Sequence, residues 1–326
     1  MRSPSFITGS FTTEARRHGE RQGKSKKSKS RKLSVIFSFS LSTFHFPLSV
    51  SLCLCGAMLF VALPISAQRV AVLTPEQSTQ TQKYASLLAD SLLRKLNVLD
   101  DELSRAAFRS VKIESPFNLT ATQARDIGEV VGCEYFLLVR SGTLRRSSFV
   151  KDEFYESFVT AFLVNGRSGR LVYWDLKSFE ADSPSESEQR LFASSASFAA
   201  EIAVQLEAVG KNGPIAGNTN VIEEVPEAGW TAAKNFRPPM PYKRIKPEYT
   251  RKAYFYDIRA TVDVSVDIDR NGVVTAVEIE RWAGFGLDQS VIDAVRKMNW
   301  RPAERNGKTL PMRVLLRYNF TKIEKE

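Results

Sequence analysis

Histidine and cysteine are scarce in this chain of 326 residues. The two histidines, His18 and His45, both lie within the first 67 residues. Beyond that point a Ser-His-Asp triad, a Cys-His pair and a histidine-ligated zinc ion are therefore excluded. Cys133 is the only cysteine after residue 67, so no disulfide can form within that part of one molecule. We interpret Cys133, which precedes an apolar run, as a small buried hydrophobe rather than a nucleophile.

Acidic pairs are the catalytic option that remains. Asp100–Glu102, Asp152–Glu153 and Glu223–Glu224 are candidates for acid–base or cation chemistry. Each lies in a predicted polar connection without a glycine-rich phosphate loop nearby, which is typical of solvated loop charge. The sequence therefore predicts no catalytic residue, no cofactor-binding residue and no metal ligand. We expect no enzymatic activity, no cofactor and no small-molecule substrate.

The formal net charge of +10 is unevenly distributed along the chain. The first 67 residues contain ten Lys/Arg and two Asp/Glu, which leaves 36 basic and 34 acidic residues in the remainder. Because positive and negative charges nearly balance after residue 67, this part of the chain lacks the basic surface that binds a phosphate backbone. We therefore expect no nucleic-acid partner.

The basic excess precedes a long uncharged segment. Residues 1–32 hold all ten of these positive charges, and residues 33–67 contain no Lys, Arg, Asp or Glu. Positive residues beside an apolar segment are retained on the cytoplasmic side, so residues 1–32 are predicted to be a basic cytoplasmic leader. Residues 33–67 suit either a signal peptide cleaved after Ala67 or a retained transmembrane anchor. In both cases the rest of the chain is exported.

Residues 69–208 begin with a strand pattern followed by two helix patterns. Arg69–Leu73 predicts a short strand, and apolar residues at helical spacing predict a helix near residues 80–97. Thr120 and Gln123 form the pattern of a capping box for the next helix, which Gly132 ends.

The second half of this region predicts more strands and a long helix. Tyr135–Val139 is an apolar run, and Phe154–Val164 with Leu171–Phe179 predicts a hairpin. Ser185 and Glu188 indicate the cap of a long helix that packs against these strands. The order of elements predicts a layered α/β-type domain, so the fold class of the whole chain is α+β.

Part of this domain carries a recognisable pattern. Ala124–Gly128 followed by Gly132–Leu138 resembles the "A-x-x-x-G…lG-x-x-y-l-l" segment of bacterial envelope domains of the TolB amino-terminal and CsgG-like type. The resemblance implies a non-enzymatic module of an envelope assembly. An unrelated α+β domain that meets the same packing rules is the alternative.

Residues 209–244 lack periodicity and are rich in glycine and proline. This composition predicts a flexible linker between two domains.

Residues 245–322 show the pattern of a small antiparallel sheet. Apolar and polar residues alternate in Thr261–Asp269, which predicts a strand with one buried face. Asn271-Gly272 predicts the turn into a second strand at Val273–Trp282, with Gly272 suited to positive φ. A helix is then predicted from Leu287, with Asp288 as its N-cap.

The last part of the chain completes this sheet. Pro302 prevents the helix from continuing, and Asn306-Gly307 predicts a second turn. Leu310–Phe320 alternates again and predicts the last strand. The sequence thus predicts a helix packed on a three-stranded antiparallel sheet.

These residues resemble the carboxy-terminal domain of TonB-family energy transducers. The family's "V-x-V-x-V-d-x-x-G-x-V" stands as Val262–Val274, and its "L-D-x-x-x-x-x-A-V" as Leu287–Val295. Its "W-r-x-x-P-A-x-x-n-G-K" stands as Asn299–Lys308, and its opening motif as Lys246–Ala253, with Lys246 in place of an aromatic residue. Ile258-Arg259 replaces the glycine usual before the first strand.

The resemblance implies a periplasmic protein that binds a peptide of an outer-membrane transporter, or of another envelope protein, by strand addition. It also implies inner-membrane proton-motor subunits as partners and transport across the outer membrane as the process served. The competing hypothesis is a periplasmic scaffold or regulatory module that uses the same domain without transducing energy. Localisation in the bacterial cell envelope is expected in both cases, with the chain either anchored by residues 33–67 or released after Ala67.

A sheet with few strands exposes unpaired backbone groups at its edges, and an extended peptide can pair there. We expect the last strand to be the docking edge, with Arg313, Arg317 and Asn319 facing outward; a simple solvated face is the alternative. The candidate partner-binding residues are Pro247, Met312, Arg313, Val314, Leu315, Leu316, Arg317, Tyr318 and Asn319.

Overall fold

The structure is a computed structural model that describes residues 68–212, 222–226 and 235–322. These residues fall in one compact unit. The predicted leader, residues 1–32, and the predicted signal peptide or anchor, residues 33–67, lie outside the described residues. Within the described ranges, no helix is long and apolar enough to cross a membrane.

The amino-terminal half of the described chain alternates between strands and helices, as its sequence predicts. Its elements are β1 (Arg69–Leu73), α1 (Thr79–Leu93), β2 (Asn97–Val98), α2 (Asp101–Ser110), α3 (Ala121–Val131), β3 (Tyr135–Arg146), β4 (Phe154–Asn165), β5 (Leu171–Ala181), α4 (Pro184–Ala193) and α5 (Ser195–Asn212). The strands form one sheet in the order β2-β1-β3-β4-β5, in which β1 pairs in parallel with β2 and β3.

Both faces of this sheet are covered, which explains the unbroken apolar run at the start of β3. One face packs against α1 and α5 through residues such as Leu137, Tyr84 and Phe198. The opposite face holds Phe136 and Phe162, which belong to a second hydrophobic cluster.

The capping box at the start of α3 is confirmed. The Thr120 side chain accepts from the backbone N–H of Gln123, the Gln123 side chain accepts from the backbone N–H of Thr120, and Gly132 ends the helix at φ +73°. The expectation of a polar connection at Asp100–Glu102 is wrong. The Asp100–Glu102 connection is the start of α2, where Asp100 is the N-cap and the two acids that follow occupy the first turn.

The predicted long helix after the hairpin is interrupted. Ser183, not Ser185, caps α4 by accepting from the N–H of Glu186, and Pro184 occupies the first helical position. At Ser194 the hydroxyl bonds back to the carbonyl of Leu191, and α5 begins at the next residue. Local side-chain bonds of this kind compete with helix continuation.

The carboxy-terminal half contains mostly strands. Its elements are β6 (Phe236–Arg237), β7 (Met240–Pro241), α6 (Arg251–Phe255), β8 (Ala260–Ile268), β9 (Val274–Arg281), α7 (Leu287–Arg296), β10 (Trp300–Arg301), β11 (Ala303–Arg305), β12 (Lys308–Leu310) and β13 (Met312–Phe320). The predicted three-stranded antiparallel sheet is present in the order β13-β8-β9. Two smaller sheets pair β7 with β10, and β6 and β12 with β11.

The predicted N-cap of α7 is wrong. Gly286, at φ +78°, holds the N-cap position without a side-chain hydrogen bond. Asp288 instead lies in the first turn and accepts from the backbone N–H groups of Ala283 and Gly284, at 2.8 and 2.7 Å. It therefore fixes the loop that enters the helix.

The two halves share a hydrophobic cluster. Phe162 of β4 stacks on Trp282, which follows β9, with 5.6 Å between ring centroids. Phe285 packs against Phe162 and against Trp174 of β5. The domain boundaries at 69–208, 209–244 and 245–322 stay a prediction, but the residues on either side of the predicted linker pack as neighbours within one core.

Candidate functional site

The outer edge of β13 presents backbone groups that β8 does not use. Residues of β13 pair with β8 at every position from Met312 to Phe320. In an antiparallel pair the N–H groups point alternately toward the partner and away from it. The N–H of Arg313 points outward, because it donates to the carbonyl of Glu223 at 2.9 Å. By this alternation the N–H groups of Leu315, Arg317 and Asn319 also point outward.

These three outward N–H groups are the geometric core of the candidate site. Among the described residues, none of them donates a hydrogen bond to another backbone group. Their side chains are exposed, with Leu315 at 61%. An extended chain laid along this edge therefore finds free donors and acceptors at every second residue.

The side chains of β13 divide between the two faces of the sheet. Met312 is fully buried, and Val314, Leu316 and Tyr318 lie half-buried against the carboxy-terminal core. Pro247 is buried in the segment before α6, so the structure does not present it on an open surface. The role of these residues in partner binding stays a prediction.

The predicted outward arginines are held by carboxylates of the neighbouring strand. Arg313 binds Asp267 through two bonds of 2.6 and 2.8 Å, and Arg317 binds Asp263 through two bonds of 2.6 and 3.0 Å. Arg281 of β9 adds a third bond to Asp263, at 3.1 Å. These two-bond ion pairs hold β13 against β8. The alternation of apolar and polar residues in the sequence did not predict this structural role.

The pKa of Asp263 reflects two opposing effects. Burial raises it, because the charged form loses water. The hydrogen bonds and charges of Arg317 and Arg281 outweigh burial, and the pKa lies below its usual value. Asp263 therefore stays ionised and keeps both arginines in place.

The opposite edge of the sheet is partly occupied by the amino-terminal half. The N–H of Trp282 donates to the carbonyl of Leu119 at 3.2 Å, and Thr120 bridges to Arg281 at the end of β9. The amide of Asn118 donates to the carbonyls of Thr261 and Trp282, both at 2.8 Å. Its oxygen accepts the N–H of Thr261 at 3.0 Å.

Beside the rest of β9 lies an open pocket of about 900 Å³. Trp174 of β5 and Ile292 of α7 are among its lining residues, and Arg170 forms an ion pair across it with Glu278 of β9. A strand added at β9 has to fit between these walls. A second open pocket, of about 680 Å³, borders the start of β13 at Arg313, Val314 and Leu315. Farther along β13, Arg317 and Asn319 are exposed and line neither of these two pockets. We therefore place the candidate site at β13.

One neighbour of this edge, the segment Ile222–Pro226, was not predicted from the sequence. Glu224 forms an isolated parallel bridge with Arg313, next to the hydrogen bond that Glu223 accepts. Glu223 also binds Arg305 of β11 through two bonds of 2.5 and 3.1 Å. The apolar-acidic-apolar order of this segment, within a linker rich in glycine and proline, was the signal available in the sequence.

The other acidic candidates have structural neighbours. Asp100 caps α2, and Glu153 accepts from Arg145 and Tyr155. The described ranges contain no group of three His, Cys, Asp or Glu side chains that could hold a metal ion. Cys133 is buried, and this burial raises the pKa of its thiol to about 12, which fits the interpretation as a small hydrophobe.

A family model confirms the resemblance of the carboxy-terminal segment. Residues 245–321 match the model described as Gram-negative bacterial TonB protein C-terminal. This match coincides with the elements from α6 to β13. Among the curated proteins, none matches this chain.

Solved structures align with parts of this chain. The solution structure of the TonB carboxy-terminal domain of Pseudomonas aeruginosa is 25% identical over 27% of this chain and 89% of that chain, with a TM-score of 0.23. A lipoprotein of Neisseria meningitidis is 13% identical over 44% and 99%, with a TM-score of 0.30. The carboxy-terminal domain of LpoB from Salmonella enterica is 13% identical over 36% and 86%, with a TM-score of 0.24.

Proposed function

We propose that this protein is a partner-binding protein of the bacterial cell envelope. The outer edge of β13 receives an extended peptide of an outer-membrane transporter as an added strand, and the protein thereby supports transport across the outer membrane. It acts by binding rather than by catalysis. The match of residues 245–321 to the TonB carboxy-terminal family supports the class of protein.

One observation carries the choice of site. The outward N–H groups of Leu315, Arg317 and Asn319 have no backbone acceptor among the described residues. Unpaired strand edges attract further strands, because each new main-chain bond satisfies a donor and an acceptor. The guanidinium groups of Arg313 and Arg317 hold β13 against β8. At Arg317 the partner therefore pairs with the backbone N–H and not with the side chain.

Site-specific photo-cross-linking in the native bacterium tests the proposed docking edge. With benzoylphenylalanine in place of Leu315, we expect a covalent adduct with an outer-membrane transporter, identified by mass spectrometry. Leu103 of α2, which is 74% exposed, is the matched control position and gives no such adduct. Absence of a transporter adduct at Leu315, or the same adduct at both positions, contradicts the proposal.

A scaffold or regulatory role without energy transduction is the second candidate. One observation favours it: the carboxy-terminal sheet packs on the amino-terminal half through Phe162 and Trp282, instead of lying free of it. A mature amino terminus at Gln68 supports this candidate, because a chain cleaved after Ala67 has no link to an inner-membrane motor. Retention of residues 33–67, with co-purification of motor subunits, supports transduction.

A further inference from the structure

The outer edge of β13 already holds one short segment of the same chain. Ile222–Pro226 runs parallel to the start of β13 and accepts the outward N–H of Arg313 through the carbonyl of Glu223. This is the contact that a docking peptide makes at the first outward position of the edge. The segment therefore occupies part of the site assigned above.

A second contact fixes the register of this segment. Both carboxylate oxygens of Glu223 bind the guanidinium of Arg305, at 2.5 and 3.1 Å. Hydrogen bonds from Arg305 hold the pKa of Glu223 below its usual value, so this carboxylate is ionised at neutral pH. Arg305 is held in turn by Phe236, whose ring centre lies 5.5 Å from the guanidinium carbon.

The segment is held weakly in comparison with the strands of the sheet. Glu223, Glu224 and Val225 are exposed, and only the Arg313 position of β13 is bridged. Elements with few buried contacts open at low cost. A peptide that pairs with Leu315, Arg317 and Asn319 as well makes more main-chain bonds than the segment does.

We propose that Ile222–Pro226 is a built-in competitor for the β13 edge, which a partner peptide must displace before it can pair along the whole strand. This inference rests on the proposed docking function of β13. A tethered competitor acts at a high effective concentration, so it lowers the apparent affinity for every free peptide and sets a threshold for docking. A partner with a carboxylate opposite Arg305 replaces both contacts and is favoured.

Amide hydrogen exchange on the full chain tests whether residues 222–226 occupy the outer edge of β13. Glu223→Gln removes the ion pair with Arg305 but keeps the segment, whereas Glu224→Gln removes a neighbouring charge that forms no ion pair among the described residues. We expect the amide of Arg313 to exchange several-fold faster in E223Q, on the order of what loss of one ion pair gives, and at the original rate in E224Q. Equal exchange rates in both variants contradict the proposal.

Competition provides the second readout. In a variant of the full chain, residues 222–226 are replaced by Gly-Ser-Gly-Ser-Gly, and a synthetic peptide with the sequence of residues 220–228 is the probe. We expect this peptide to bind the variant about tenfold more tightly than the unaltered chain, or better, and to restore slow exchange at Arg313. Equal affinities for the two chains contradict the proposal that residues 222–226 compete for the β13 edge.

The two proposals fail in different ways. If a transporter peptide slows the outward amides of β13 equally in the unaltered chain and in the replacement variant, only the competitor is refuted. If neither that peptide nor the probe slows them in either chain, the docking function of β13 itself is refuted.

Discussion

Asp263, which is buried, and Asp288, which is half-buried, have opposite electrostatic environments. Asp263 accepts hydrogen bonds from Arg317 and Arg281, so its charged form is favoured despite burial. Asp288 accepts only backbone N–H groups, from Ala283 and Gly284. There burial is the larger effect and raises the pKa of Asp288 to about 6. The same residue type therefore changes the stability of the fold in opposite directions with pH.

The raised pKa of Asp288 predicts a pH-dependent stability. Between about pH 4 and 6 the folded chain binds more protons at this carboxyl than the unfolded chain does, so the free energy of unfolding falls as pH rises. We expect the free energy of unfolding to fall by about 2–3 kcal/mol over this pH range and this fall to disappear in Asp288→Asn. Denaturant unfolding at several pH values measures it.

Asp293→Asn is the matched control, because Asp293 lies on the same helix and is exposed. In this variant we expect the free energy of unfolding to fall with pH as steeply as in the unaltered chain. If the same pH dependence is also found in D288N, Asp288 is not the group that causes it.

At the scale of single elements, the turn between β8 and β9 depends on glycine. Asp269 accepts the backbone N–H groups of Asn271 and Val273, both at 2.8 Å, and Gly272 follows at φ +80°. A Cβ atom on Gly272 would lie 1.9 Å from the carbonyl oxygen of Trp300. The predicted positive φ is confirmed, but this close approach of two backbones could not be predicted from the sequence.

Gly272→Ala and Gly307→Ala separate these two effects. Gly307 has nearly the same φ, +78°, but a Cβ atom there meets nothing within 4 Å. We expect G307A to lower the free energy of unfolding by about 1–2 kcal/mol through backbone strain. G272A should cost about 3–4 kcal/mol, because the clash adds to the strain. Equal losses in denaturant titrations contradict the contact with Trp300.

Sequence patterns correctly predicted the strands and helices whose local preference agrees with their packing in the fold. Alternation in Thr261–Asp269 and Leu310–Phe320 predicted β8 and β13, and the capping box at Thr120 predicted α3. The acids at Asp100–Glu102 were interpreted as a loop, although acids also favour the first turn of a helix. Polar composition alone does not distinguish these two cases.

The candidate site was predicted in part. Alternation placed Leu315, Arg317 and Asn319 on one side of the last strand, and the structure finds all three exposed. The pairing of Arg313 with Asp267 and the position of Glu223 depend on residues far apart in the chain. Such contacts are set by strand order and register, which no local pattern encodes.

At the scale of the whole molecule, the carboxy-terminal half covers one face of the amino-terminal sheet. Phe136 and Phe162 are buried in a cluster that also contains Val264 and Trp282. A sheet face of this kind is not stable when exposed to water, because each large side chain gains about 1.5–3 kcal/mol from burial. The two halves therefore stabilise each other.

Asn118 provides the sharpest test of this mutual dependence. Its side chain makes three hydrogen bonds to the backbone of Thr261 and Trp282, across the boundary between the halves. Asn118→Ala leaves these backbone groups without their partner, and we expect a loss of about 2–4 kcal/mol. Thermal unfolding followed by circular dichroism should show one transition at a lower midpoint.

Asn97→Ala, at an exposed position of β2, is the control and should change the midpoint little. Two separate transitions in the unaltered chain would show that the halves unfold independently. An N118A midpoint equal to that of N97A would show that the hydrogen bonds of Asn118 do not stabilise the contact between the halves.

Residue-specific amide exchange in the full chain, with and without the transporter peptide that cross-links at Leu315, tests the central claim most directly. We expect the peptide to slow exchange at Leu315, Arg317 and Asn319, whose N–H groups point away from β8. Exchange at Val314 and Leu316, whose N–H groups already bond to β8, should stay unchanged. Binding that leaves all three outward amides unprotected, or that protects β9 instead, would contradict strand addition at β13.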